Sequence, residues 1–309
     1  MRKPKFLPLK AGYQLFVDTG RACLQAGVFA QGAALSYYTI FAIAPLFIIA
    51  LGIAGFWFGR AEAQKELFDQ VNHLVGQSGG DAIQSLVAAA SQSKAGFWAT
   101  CLAGGTLALA ATAVFVQLQD SLNKLWGIRQ VPGMGVRNFI RHRLLSFAMV
   151  FGTGFLLLVS LLCNAGLAAF GNFIGDHVSS TKTVLQALNF VFSLGIITAM
   201  FTMIFKFLPD VKTGWRDAWL GGFITALLFN FGKYLIGIYI GRSSLSSVYG
   251  AMGSLVVMLV WVYYSAQILF FGAQFTCLYG RRHGVEPQPL RGAEFVPWEV
   301  PPPVRKRSK

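Results

Sequence analysis

Charge is what this chain has least of. Of its 309 residues only 12% are Asp, Glu, Lys or Arg, about half the usual share of a soluble domain, whereas 55% are hydrophobic. That balance excludes an ordinary cytosolic enzyme. The scarcity is also patterned: no charged residue lies between Arg21 and Arg60, Lys94 and Asp120, Arg143 and Asp176, Lys182 and Lys206, or Arg242 and Arg281. Each gap can hold the roughly 20 apolar residues of a bilayer-crossing helix. A sixth stretch, Asp217 to Arg242, is interrupted only by Lys233. Six candidate spans define a polytopic membrane protein of the all-α class.

Other shortages exclude chemistry. Twelve acids and four histidines are few for a hydrolase that needs an acid–base pair or clustered metal ligands. His73, His142, His177 and His283 stand in separate loops or ends, without HxH, HxxxH or HExxH spacing, and no DxD pair occurs. They read as solvated or interfacial side chains. No GxxxxGK[ST] cradle for nucleotide phosphates is present either. The expectation is no enzyme, no cofactor and no metal site. The four cysteines, Cys23, Cys101, Cys163 and Cys277, fall one per segment without a CxxC and read as small apolar fillers.

Positive charge, by contrast, is in excess: 26 basic residues against 12 acidic ones give +14, a total that invites a nucleic-acid reading. Its distribution argues otherwise. With a cytoplasmic N-terminus and six helices, the cytoplasmic side receives Arg2, Lys3, Lys5, Lys10 and Arg21, then Lys124, Arg129, Arg137, Arg141 and Arg143. It also receives Lys206, Lys212, Arg216 and the seven basic residues from Arg281 onward, in all 20 of the 26. The opposite side keeps Arg60, Lys65, Lys94, Lys182 and Arg242, while Lys233 lies within the membrane. This is the positive-inside pattern. Together with attraction to anionic headgroups, it accounts for the charge without a nucleic-acid partner.

The boundaries follow from the same gaps. Residues 1–32 form a cytoplasmic N-terminus whose stretch 11–31 is too polar to span, yet periodic enough for a helix at the interface. The transmembrane domain covers 33–280, with spans near 33–58, 97–119, 144–170, 186–207, 217–240 and 250–279. Pro45 removes a backbone bond to the Phe41 carbonyl and is expected to kink the first span. Residues 60–95 read as an extracytoplasmic helical hairpin. The basic, proline-rich stretch 281–309 is expected to be disordered. Pro4 and Pro8 interrupt the basic start and no compact cleavable core follows, so the first span is expected to be retained. Trp57, Trp126, Trp215 and Trp219 fall at predicted helix ends, where their rings favour the headgroup level.

The segments GAALSYYTIFAIAPLFIIALG, FVQLQDSLNKLWGI and KFLPDVKTGWRDAWLGGFITALLFNFGKYLIGIYIGRSSLSSVYGAMGSLVVMLVWVYYSAQILFFGAQF resemble the YihY/BrkB family of bacterial inner-membrane proteins, over roughly residues 12–280. The last segment joins two helices, a Pro-Asp loop and a Val-Tyr-Gly turn in the family's order. The resemblance implies six transmembrane helices in the inner membrane with both termini cytoplasmic, matching the charge count. Members were long labelled ribonuclease BN, a label regarded as mistaken, and the scattered histidines and acids lend it no support. The family usually has Glu where this sequence has Gln274, which bears on any role resting on a carboxylate there.

Lys233 is the most informative single residue, because an ionisable group inside a span costs roughly 2.5–3.5 kcal/mol on insertion scales and usually faces the bundle interior. Asn230, Lys233, Tyr234, Gly237 and Gly241 share one helical stripe, combining donors with a Gly-x-x-x-Gly close-packing surface. Snorkelling of Lys233 to the outer headgroups is the alternative. Asn164 and Asn189 fall in the same outer half and are its expected hydrogen-bonding partners. A second cluster, Gln117, Asp120, Ser121 and Lys124, occupies one face at the cytoplasmic end of the second span. It reads as a helix-end ion pair or as a cytoplasmic gate. Ser36, Tyr37 and Thr39 lie below Pro45 and could share that vestibule, as could Gln267 and Gln274 on the sixth helix, although such amides more commonly bond neighbouring helices.

Two functions fit. One is a transporter or flippase-like protein for a lipidic or anionic amphipathic envelope substrate, with Lys233, Asn230, Tyr234, Asn164 and Asn189 binding it. The other is a non-transporting membrane scaffold, in which the polar groups only hold helices together. Membrane lipids are the expected partners, and a homo-oligomer is compatible with the sequence. A cavity lined by Lys233 and Asn230 would favour transport; a closed bundle would favour the scaffold.

Overall fold

Backbone polar groups in a bilayer find no water, so a segment without charge can cross only as a helix or a closed barrel. The chain takes the helical solution. A computed structural model describes residues 9–75, 80–81, 83–85, 87–88, 113–131, 179–242, 253–284, 288–290 and 292–296. Within these, α1 spans Leu9–Gln25, α2 Val28–Phe58 and α3 Arg60–Val75. Helix α4 is described over 113–126, α5 spans Ser179–Phe207, α6 Trp215–Arg242 and α7 Gly253–Arg282.

Three stretches are long and apolar enough to cross a membrane: Phe190–Phe207 in α5, Trp215–Ile240 in α6 and Leu255–Arg282 in α7. A fourth is reached if α1 and the first half of α2, bent by 68°, count as one span. Six spans and the interfacial placement of α1 remain readings of the sequence. The expected spans at 144–170 and over most of 97–119 lie outside the described residues. The bend falls at Ala26 and Gly27, where Gly27 takes a left-handed φ of 66° that a side chain would resist. Helix α2 is continuous across Pro45.

Helix α1 is amphipathic, and its buried face packs on the end of α7. Leu15 and Ala22 join Phe275 and Leu278, Phe16 meets the rings of Phe271 and Phe275 at 5.6 and 5.5 Å, and Arg282 pairs with Asp18 at 2.5 Å. The central core gathers Leu122, Leu125 and Trp126 of α4, Phe201 and Phe205 of α5, Phe229 of α6 and Phe270 of α7. Trp126, expected among headgroups, is instead 2% exposed in that core. The chain turns back over it: Gly127, with φ 67°, ends α4, and the next strand leads away.

The fold departs from the sequence reading most clearly after Arg282. Disorder was expected from 281 onward, yet residues up to Val296 pair with the helix ends. Strand β1 (Ile128–Gln130) pairs antiparallel with β4 (Ala293–Phe295), and β2 (Val211–Lys212) with β3 (Gln288–Pro289). Val296 N–H donates to the Gly127 carbonyl at 3.1 Å and Val131 N–H to the Gly292 carbonyl at 3.0 Å. Pro289 needs no donor at its place in the ladder, because Leu290 N–H supplies the bond, to the Asp210 carbonyl at 2.9 Å. Burial of Ile128 and Val296 adds the apolar gain that composition alone conceals.

Candidate functional site

Helix α5 stops at Phe207 because Pro209 pushes Leu208 out of the helical region. The turn that follows is built on Asp210, which is 5% exposed. Its Oδ2 accepts from Asn123 Nδ2 at 2.9 Å and from Gln119 Nε2 at 3.2 Å, and its N–H donates to Asn123 Oδ1 at 2.8 Å. One turn thus fixes the ends of α4, α5 and α6 and, through Leu290, the tail. Lys206 Nζ donates to the Thr213 carbonyl and lies 5.4 Å from the centre of the Trp215 ring, which also meets Phe207 edge-on at 5.7 Å. Trp215 is therefore held at the mouth of the α5–α6 hairpin.

From that turn, α6 shows two different faces. Inward, Gly221 and Thr225 meet Thr276 and Gly272 of α7 in reciprocal contacts, so that a Cβ on either glycine would collide with the opposing hydroxyl. Gly222 faces the Thr202 hydroxyl and the Thr198 backbone carbonyl of α5. All four hydroxyls are satisfied within their own helices, bonding Leu194, Thr198, Gly221 and Gly272 carbonyls at 2.6–2.7 Å. The helices therefore approach closely without an unpaired donor. Outward, Trp219, Phe223, Leu227 and Tyr234 follow Arg216 at helical spacing and are exposed. Between this face and α5 runs a groove of about 660 Å³, lined by Leu194, Gly195, Thr198, Arg216, Trp219 and Phe223 among others.

The residues singled out from the sequence are placed as follows. Lys233 is half-buried, Tyr234 is 71% exposed, and Asn230 Nδ2 bonds the Ala226 carbonyl at 3.0 Å. A Cβ at Gly237 would meet nothing within 4 Å, so among the described residues this stripe is not the close-packing surface expected of it. Neither Lys233 nor Asn230 lines the groove. Asn189 lies in α5, its side chain outside the described residues, as is the whole of Asn164. Gln117 donates to Ser121 at 3.2 Å, while Asp120 and Lys124 are exposed.

Tyr37 is 58% exposed against Tyr38 and Phe41, and Ser36 and Thr39 bond their own helix at 2.7 Å. Gln267 packs on Gly32 of α2, and Gln274 is fully buried with no partner for either amide atom among the described residues. Of the residues expected at a cytoplasmic vestibule, Gln117 thus bonds its own helix, Gln267 reaches α2, Tyr37 and Asp120 are exposed, and Gln274 is buried. Among the described residues no three His, Cys, Asp or Glu side chains gather as a metal centre would require.

Two groups escaped sequence reasoning. Gln119, Asn123 and Asp210 meet across 87 to 91 positions, a separation that no helical period reveals, although the quoted Pro-Asp loop marked one partner. The threonines facing Gly221, Gly222 and Gly272 were hidden because Thr and Gly read as neutral in a span; spacing of small residues was the usable signal.

Long apolar helices held by small-residue contacts define an integral membrane protein. The family model described as Virulence factor BrkB matches residues 20–295, and the chain belongs to that family. It is 29% identical over 257 residues to a UPF0761 membrane protein of Pseudomonas paraeruginosa, covering 80% of this chain and 58% of the relative. A UPF0761 membrane protein of Rhodospirillum centenum is 26% identical over 251 residues, covering 80% and 53%. One from Verminephrobacter eiseniae is 25% identical over 251 residues, covering 79% and 57%. The chain thus spans little more than half the length of these relatives. No solved structure matches it.

Proposed function

We propose that the chain is a multi-pass inner-membrane transporter or flippase-like protein for a lipidic or anionic amphipathic envelope substrate, non-catalytic and with both termini cytoplasmic. One observation carries the reading: α6 holds the half-buried Asn230 and Lys233 beside the exposed Tyr234, a cation and two polar groups in a span with no other charge between Asp217 and Arg242. An ammonium retained at that depth is costly and suits a phosphate or carboxylate that must pass through an apolar layer. Lys233→Met keeps the stem and removes the charge. Reconstituted in proteoliposomes at matched insertion, it is expected to lose translocation of a fluorescent anionic lipid, with Lys233→Arg retaining part of it. Equal rates for wild type and Lys233→Met would remove the proposal.

The scaffold reading has its own support in the reciprocal Gly221–Thr276 and Gly272–Thr225 contacts, which suit a bundle that does not open. It is the reading that survives if Lys233→Met is silent.

A further inference from the structure

We propose that the α5–α6 groove holds an anionic glycerophospholipid, its phosphate on Arg216 and an acyl chain laid along Gly195 and Phe223. The proposal is independent of transport: it holds equally for a transporter and for a scaffold.

The shape comes from α5. A Cβ at Gly195 would meet nothing within 4 Å, so the helix backbone is laid open where neighbours on α6, Trp219 and Phe223, project outward. The resulting volume of about 660 Å³ lies within the roughly 300–1,000 Å³ of small-molecule pockets. Its long walls are apolar: Val191, Leu194, Leu220 and Phe223. They belong to the stretches Phe190–Phe207 and Trp215–Ile240, long and apolar enough to cross a membrane. An occupant must therefore be apolar over most of its length.

The chemistry at one end is different. Arg216 is exposed at the first turn of α6 beside Trp215 and Trp219, aromatic residues of the kind that settle at the headgroup level. Among the described residues Arg216 makes no ion pair. The nearest acid in sequence, Asp217, is buried on the other side of the helix with its carboxylate against Gly214. A guanidinium offers two parallel donors to a phosphate, and Trp215 is held in place by Lys206 and Phe207. An anionic phospholipid meets both requirements; a free anion meets the first only, and a zwitterionic phospholipid meets the first more weakly, because its choline cation offsets the phosphate charge.

The test uses the full chain, purified in detergent and stripped of lipid, with binding read by native mass spectrometry. The probes are dioleoylphosphatidylglycerol, dioleoylphosphatidylcholine and inorganic phosphate. Wild type is expected to prefer the glycerol lipid by about ten-fold, the worth of one charge-assisted contact. Arg216→Gln removes the preference, weakening phosphatidylglycerol more than phosphatidylcholine. Gly195→Leu fills the groove without a clash and weakens both lipids, whereas Gly237→Leu, in open space away from the groove, weakens neither.

Retained preference in Arg216→Gln, or unchanged lipid binding in Gly195→Leu, would overturn the proposal. So would competition by inorganic phosphate at the concentrations that saturate with lipid, which would reveal a site for a free anion. Loss of a dimer in Gly195→Leu without loss of lipid would assign the groove to a second copy instead. If Gly195→Leu fails to fold, the Arg216→Gln comparison decides alone.

Discussion

Removing the Asp210 side chain tests whether one turn fixes three helices. Its Oδ2 accepts two bonds, at 2.9 Å from Asn123 and 3.2 Å from Gln119. A hydrogen bond to a charged group contributes about 1.5–3 kcal/mol, and the longer bond falls at the edge of the useful range. Asp210→Ala loses both and leaves two buried amides short of a partner, for a cost of about 3–5 kcal/mol. Asp210→Asn behaves differently, because both bonds go to a single oxygen that an amide can supply. They persist as neutral bonds of about half the strength, so the expected cost is only about 1–2 kcal/mol. Asn123→Ala removes two bonds of its own, one from the Asp210 N–H. The double variant should fall short of the sum by about 1 kcal/mol or more, since the two side chains are partners. Reversible unfolding in mixed micelles with increasing SDS, followed by far-ultraviolet circular dichroism, measures all four. A cost for Asp210→Asn equal to that of Asp210→Ala, or additivity of the alanine pair, would refute the reasoning.

Three further outcomes are expected. Gly221→Ala drives a Cβ into Thr276 and should cost about 1–3 kcal/mol by overpacking in the same SDS titration, while Gly237→Ala, with open space around it, should change stability by less than about 0.5 kcal/mol. Gln274→Met removes an amide that has no partner among the described residues while keeping its length. Stability is expected to hold or rise by about 1 kcal/mol, and a loss would show that the amide is engaged. For orientation, Asp81→Cys is exposed and avoids the contact of Gly80 with Asn72. A membrane-impermeant maleimide should label it in intact cells, whereas Glu294→Cys should need permeabilised ones; the reverse pattern would invert the topology.

How much of this was legible in the sequence depends on what each residue type declares. Absence of charge declares a span, and the gaps ending at Lys206, Arg242 and Arg281 locate the C-terminal ends of α5, α6 and α7 to within a residue, although α7 begins only at Gly253, well after Arg242. Proline declares a break, and Pro209 ends α5. The tail misled because Pro-rich composition reports how little a segment can bury on its own. It says nothing of what the segment gains from strands already held by Gly127 and Asp210. Trp126 misled for a related reason: a ring at a helix end is drawn to headgroups only if no core covers it, and Phe205 and Phe270 join the same cluster.

Rotation of the helices was the least legible property, and the physical cause is general. In water, hydrophobicity tells a helix which face to bury; in a bilayer, lipid tails are as apolar as leucine and give no such instruction. The polar stripe Asn230, Lys233 and Tyr234 was therefore expected on the packed side, yet Tyr234 is exposed like Trp219, Phe223 and Leu227 while Asn230 and Lys233 are only half-buried. What fixes the rotation of α6 is the placement of its smallest side chains. Gly221, Gly222 and Thr225 lie on the side where α5 and α7 come closest, and Phe229 continues that side a turn later, where it meets Phe201 of α5 and Trp261 of α7. The same constraint sends Arg216 to the opposite side, at the mouth of the groove, so the packing that joins the helices also decides which cation the membrane meets.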